Sequence, residues 1–196
     1  MPDPRADLIR YYRLLRQHGN NDSHSGNGSV RAGDRAWLTP TGASGDTVEA
    51  ADLIECALDA PPPAGASIDA ALHLAVYRAV DAAGAILHSH GPHAIALSLG
   101  GDDFVPVDFE GQLLFPCVPV LDIALADHAT QAPARVAEVM ADHAVVILRG
   151  HGIYARGRDL NEAYRWNCQV EASARITWLA GNATATRGSA NPRMAH

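Results

Sequence analysis

The sequence predicts an α/β domain, and three observations lead there. Segments whose apolar residues recur every three or four positions alternate with short β-branched runs, the periodicities of helix and strand. Stretches rich in glycine, proline and small polar residues separate them. The chain has 196 residues, a length suited to one compact domain, and at 47% hydrophobic and 19% charged it can bury a sizeable core.

Residues 6–18 read as a helix with Leu8, Tyr12 and Leu15 on one face and Gly19 to end it. The polar run 20–31 reads as a loop leading into a strand at Ser29–Val30. A second strand, Ala36–Leu38, runs into a turn at Thr39-Pro40-Thr41-Gly42, and residues 59–66 form another loop. Ser67 is placed to cap a helix from Ile68 to Ala83 whose buried side carries Leu72, Ala75, Val76, Ala79 and Val80. Ala85–His88 is a short apolar strand. It ends in His88-Ser89-His90, after which Gly91-Pro92 breaks it and a short helix follows to Leu99.

Strands are expected at 104–107 and 117–121, and an amphipathic helix from Pro133 to His143. The continuous apolar run 144–148 is a buried strand that ends at Arg149-Gly150-His151-Gly152. Asp159 with Glu162 forms a capping-box-like start for a last helix carried by Leu160, Tyr164, Val170 and Ile176. One domain is expected over 1–182, and the small polar residues 183–196 are expected to form a disordered tail.

Composition excludes several function classes. A formal net charge of −7 at pH 7 argues against a nucleic-acid partner, which would need a basic stripe, and against docking on an anionic membrane. Cys56, Cys117 and Cys168 are odd in number and widely spaced, with no CxxC pair, so they read as free thiols in a reducing compartment. The N-terminus carries charge throughout and is no signal peptide, and no apolar run is long enough to span a bilayer. The expectation is a soluble cytoplasmic protein.

The chemistry concentrates in histidines. Strand side chains alternate, so His88 and His90 point to the same side and can offer two nitrogens to one metal. Alone, such a pair is weak evidence. His151 strengthens it, because it also follows a buried strand and glycines on both sides let backbone approach a ligand. Imidazole ligands suit zinc and its neighbours, and a catalytic zinc keeps an open position beyond three protein ligands. His93 competes for the third place but lies beyond a Gly-Pro turn. His73, four residues after Asp69 on the same helix side, reads as a hydrogen-bonded structural histidine. His24, His128, His143 and His196 read as solvated or structural.

Around these histidines the sequence resembles the class II aldolase and adducin head-domain family, which includes fuculose-phosphate aldolase and ribulose-phosphate 4-epimerase. The resemblance runs from about residue 7 to 180. Ser25-Gly26-Asn27-Gly28-Ser29-Val30-Arg31 looks like the family's SGNxSVR loop, and Leu38-Thr39-Pro40-Thr41-Gly42 like its TPTG turn. Ser67-Ile68-Asp69, followed by His73 and Tyr77, looks like its SSE/SSD helix start. His88-Ser89-His90 and Gly150-His151-Gly152 look like its metal motifs.

The resemblance implies a three-layer α/β/α fold with a central, mostly antiparallel sheet. It implies that His88, His90 and His151 hold a divalent metal, usually zinc, with manganese or cobalt as alternatives. Asp69 stands where aldolases carry a catalytic glutamate and the epimerase an aspartate that can ligate metal. Gly26, Asn27, Thr41, Gly42 and Ser67 match positions that hold a substrate phosphate. Ile68 stands in place of the second serine of that site. Phe109 and Glu110 fall near the place of a tyrosine that a neighbouring subunit donates, so a homo-oligomer, a tetramer, is expected.

These residues imply a metal-dependent lyase that cleaves a carbon–carbon bond in a small hydroxy-ketone, phosphorylated or free. In it the cation polarises a carbonyl and Asp69 moves a proton. A 4-epimerase, a decarboxylase or a dehydratase would use the same parts. A metal-free, adducin-like binding domain is the alternative of a different class. Asp69 as a mere helix-terminal carboxylate, and Arg149 as a contact for an acidic substrate, are further readings.

Overall fold

The computed structural model describes residues 3–189, with side chains through residue 181. Helix α1, Pro4–Gln17, starts at Asp3, whose side chain accepts from the Arg5 N–H, and buries Leu8, Ile9, Tyr11, Tyr12 and Leu15. Strands β1, Asn27–Ala32, and β2, Arg35–Leu38, form a hairpin. Strand β3, Ile54–Ala57, pairs with β2 and is an element the sequence did not announce. Helix α2 is Ala70–Ala79, β4 is Ala85–Ser89 and α3 is Pro92–Ser98. Then come α4, Phe109–Leu114, β5, Val120–Leu121, and α5, His128–Asp142. Strands β6, Val145–Leu148, and β7, Gly152–Gly157, precede α6, Leu160–Ser189.

The seven strands form one sheet in the order β3-β2-β1-β4-β7-β6-β5. Every pairing is antiparallel except β5 with β6. Alternation along the strands feeds two opposite cores. Ile86, Val146, Leu148 and Tyr154 pack with α2 and α5 on one face. Ala85 and Leu87 face α1, while Val145, Ile147 and Ile153 face α3, α4 and α6 on the other. The expected three layers and mostly antiparallel sheet are therefore present.

Several boundaries differ from the expectation. The segments 104–107 and 117–121 supply only a Phe104↔Val118 bridge and the short β5. Pro106, Pro116 and Pro119 lack the N–H that a ladder needs. Helix α2 begins after Asp69 and stops at Ala79, shorter than 68–83. Ser67 makes a local turn instead of the cap, its Oγ accepting from the Asp69 N–H at 3.2 Å. Helix α5 starts at His128 rather than Pro133, which sits inside it. Helix α6 continues through Ser189, past Ala183 where ordered structure was expected to end, and residues 190–196 lie outside the described residues. Among the described residues no helix is long and apolar enough to cross a membrane.

The register brings the chemistry to one end of the sheet. Asn27 at the start of β1 pairs with His88 near the end of β4. Ile153 near the start of β7 pairs with Ser89. The β6–β7 turn, which carries His151, therefore closes beside the end of β4.

Candidate metal centre

Pleat alternation does what the sequence implied. His88 and His90 project together on the α2–α5 side, whereas Ser89 between them turns to the other face and donates to Asn167 of α6. The imidazoles of His88, His90 and His151 offer ligand atoms that all lie within 4.8 Å of one another. Nε2 of His88 and Nε2 of His90 are 3.0 Å apart. Two backbone approaches make this convergence possible. A Cβ on Gly152 would collide with the Ser89 carbonyl oxygen, so only glycine lets the β6–β7 turn close on β4. A Cβ on Gly26, whose φ is +70°, would meet the His88 carbonyl oxygen at 2.5 Å.

The donor set fits a divalent cation. Nδ1 of His88 lies 2.9 Å from the Ile153 carbonyl, which can only accept, so the ring proton sits on Nδ1 and the Nε2 lone pair faces the cluster. Burial pushes His88 well below the usual histidine range, lowers His90, and takes His151 down to about 4. Neutral imidazoles are the form that coordinates metal.

Asp69 lies beside this cluster, 2% exposed, with Oδ2 3.9 Å from Nε2 of His88. Its side chain makes no cap bond to its own helix, so plain capping is not its role. Instead Oδ2 accepts from the Asn27 amide at 2.7 Å and from the Tyr154 hydroxyl at 2.9 Å. Oδ1 faces Nε2 of His128 at 2.8 Å. Burial acting alone would raise the carboxyl. The His128 bond, the neighbouring His88 imidazole and the Asn27 bond outweigh it and hold Asp69 well below the usual carboxylate range. Burial and the carboxylate together push Tyr154 well above the usual phenol range, so its hydroxyl remains a donor.

Every site residue named from sequence borders one cavity of about 160 Å³: the three histidines, Asp69, and Gly26, Asn27, Thr41, Gly42 and Ser67. Tyr12 ties its loops together, its hydroxyl within 3.1–3.3 Å of the carbonyls of Ser25, Gly26 and Ala43. The Thr39 carbonyl accepts from Ser67 N–H, joining the TPTG turn to the start of α2. A second cavity of about 380 Å³ shares His151 and Ile68 with the first and has Ile123, Leu125 and Leu148 in its wall.

Other histidines have partners of their own. His73 is buried with Nδ1 2.8 Å from Ser29 Oγ, the structural role expected, although its partner is not Asp69. His93 pairs with Glu171 at 2.7 Å on the α6 side. His24 borders the cavity with Nδ1 2.9 Å from Ser23 Oγ. His196 lies outside the described residues. Arg149 is held by Asp122 at 2.7 Å and by the Leu99 carbonyl, a clamp on the turn. His128 corrects the reading of a solvated or merely structural side chain, since it touches Asp69 and packs edge-on against His151. Tyr154 was not singled out either. Its ring stacks on His88 at 3.9 Å, and the pairing His88↔Tyr154 would have revealed it had the β6–β7 hairpin been recognised.

The sequence model described as Class II Aldolase and Adducin N-terminal domain matches residues 6–178. An L-fuculose phosphate aldolase of Methanocaldococcus jannaschii is 31% identical over 178 residues, covering 89% of this chain and 96% of the relative. A methylthioribulose-1-phosphate dehydratase of Acidiphilium cryptum is 33% identical over 183 residues, covering 84% of each. The crystal structure of L-fuculose-1-phosphate aldolase from Thermus thermophilus superposes with a TM-score of 0.86 at 32% identity, over 97% of this chain and 99% of that one.

Proposed function

Because the chain belongs to the class II aldolase and adducin N-terminal domain family, we propose that it is a divalent-metal-dependent aldehyde-lyase that cleaves a small phosphorylated hydroxy-ketone. One observation carries this reading. A buried, ionised carboxylate, Asp69, lies beside three convergent imidazoles in the same cavity as a set of anion-suited loops.

His88, His90 and His151 would hold the ion, zinc by the chemistry of the donors, with manganese or cobalt as substitutes. A divalent cation there supplies Lewis acidity for the substrate carbonyl and stabilises negative charge on its oxygens. The chain's own residues do the rest. Gly26, Asn27, Thr41, Gly42 and Ser67 hold the phosphate through N–H and hydroxyl donors and fix which carbon reaches Asp69. Asp69 takes the proton of the hydroxyl on the carbon to be released. That C–O–H becomes the C=O of the released aldehyde, the adjacent carbon–carbon bond breaks, and its electron pair stays with the fragment that bears the original ketone. Asp69 then returns the proton to that fragment.

Exposed apolar residues on α4 support a homo-oligomer, and the family resemblance supports a tetramer. Phe109 is 78% exposed and Leu113 68%, and such surface commonly marks an interface. The free thiols suit a reducing cytoplasm.

A dehydratase is the second reading. The apolar wall of Ile68, Ile123 and Leu125 favours it, because it suits a substrate with an apolar tail, as the methylthio group of the dehydratase relative's named substrate would be.

The test is to strip the protein with a chelator, restore it with zinc, manganese or cobalt, and offer phosphorylated and free ketoses. Metal-restored release of an aldehyde supports the lyase. Release of water without chain cleavage supports the dehydratase. Metal-independent behaviour with neither product overturns both.

A further inference from the structure

Asp69 is held unevenly. Asn27 of β1 and Tyr154 of β7 both donate to Oδ2, and both come from the rigid sheet. Oδ1 instead meets His128, which comes from the helix layer, at the first residue of α5, packed beside α2. An ionised carboxylate only accepts, so Nε2 of His128 carries the proton of that bond. The His128 ring is itself fixed, packed edge-on against His151 with centroids 5.1 Å apart. Its Nε2 is turned to Asp69 and it is not one of the three convergent ligands.

A carboxylate turns readily about its last torsion, whose preference is broad. Oδ2 of Asp69 already lies 3.9 Å from Nε2 of His88. Freed of its Oδ1 partner, the group could swing toward the three imidazoles. A carboxylate holds about four acceptor directions, and these donors occupy three, which leaves one for a substrate proton. We propose that His128 is a positioning residue that keeps the Asp69 carboxylate aimed at substrate and prevents it from turning onto the metal as a fourth ligand. The proposal rests on the lyase reading for its kinetic consequence, and on geometry alone for the position of Asp69.

The experiment compares cobalt-loaded wild type with H128A and H128Q. The glutamine amide reaches about as far as Nε2 and restores a donor. H128N is polar but too short, and stands in for alanine should H128A not fold. The readouts are cobalt affinity by chelator competition, the visible cobalt spectrum, and kcat and KM for whichever substrate the wild type cleaves.

H128A should bind cobalt at least as tightly as wild type, with a shifted spectrum from the added carboxylate. Its kcat should fall roughly 10–100-fold, the usual cost of losing a supporting hydrogen bond at a metal site, with KM little changed. H128Q should recover the wild-type spectrum and most of kcat. A general loss of packing would not produce a new ligand, and D69N in the H128A background should abolish the shift.

Weakened cobalt binding in H128A would overturn the proposal by making His128 a ligand. An unchanged spectrum and kcat would overturn it too, as would a glutamine variant no better than alanine. Should the wild type cleave nothing offered, the lyase reading falls, and the cobalt spectra still decide the role of His128.

Discussion

The Tyr154 hydroxyl donates to Oδ2 of Asp69 at 2.9 Å while the Tyr154 ring lies flat on His88, 7° from parallel. One side chain on β7 thus orients both a cluster imidazole and the carboxylate next to it. Tyr154→Phe keeps the stack and removes only the donor. Leaving a buried charge short of a partner costs about 1–3 kcal/mol, so urea unfolding should show a loss of that order. Turnover should fall with it while metal affinity holds. Unchanged stability and turnover would show that the hydroxyl bond is idle.

Asp69→Asn tests the proton carrier. Asparagine fills the same space and can still meet Asn27 and Tyr154 through its oxygen, so the fold should survive. Turnover should drop roughly 10²–10⁴-fold, the range of a general acid–base group. Wild-type turnover in this variant would remove Asp69 from the chemistry.

Gly152→Ala tests how the cluster is assembled. The added methyl would collide with the Ser89 carbonyl oxygen, so the β6–β7 turn must move off β4 and take His151 with it. Metal affinity should fall, measured by chelator competition. The same substitution at Gly19, where an added Cβ meets nothing within 4 Å, should leave metal affinity alone.

Acid should destabilise the metal-free protein in a definite window. Burial takes His73 and His151 from 6.5 down to about 4. Between those values the unfolded chain binds protons that the folded chain refuses, so stability falls as pH drops from 6.5 to 4 and levels below. His128 has the opposite sign, because its bond to Asp69 raises it and adds stability that is lost as pH rises through its folded pKa. The depressed Asp69 contributes stability that goes only in stronger acid, as pH falls from 3.8 toward its folded pKa. Urea midpoints from about pH 4 to about pH 7 measure the net slope. A flat profile would mean that the buried imidazoles are solvated in the folded state.

Assembly can be read by light scattering. The wild type should have a mass four times the chain's 20.7 kDa. Phe109→Glu with Leu113→Glu should shift it to smaller species, because both side chains are exposed on α4. A monomeric wild type would leave the exposed face of α4 without an occupant.

The three clustered histidines were legible because strand alternation and the glycine-flanked turn are local signals. The loops at Gly26–Asn27 and Thr41–Gly42 were legible as motifs. What the sequence concealed was long-range. Arg149-Gly150-His151 reads as the end of a strand, yet it is a hairpin turn. Missing it hid β7, and with β7 the place of Tyr154 opposite His88. His128 lies 59 residues from Asp69, and only the packing of α5 beside α2 brings them together. No spacing rule encodes that contact. The proline-interrupted segment around β5 misled in the other direction, because apolar content suggested strands that its prolines prevent.

The most direct test of the whole arrangement is metal analysis of the purified wild type beside His88→Ala and His151→Ala, with ketose-phosphate cleavage assayed on the same samples. The expected result is about one divalent ion per chain in the wild type, as three imidazoles with an open position would hold, and loss of both ion and cleavage in each variant. A wild type that holds no divalent ion after incubation with zinc, manganese or cobalt would contradict it, as would variants that keep both metal and cleavage.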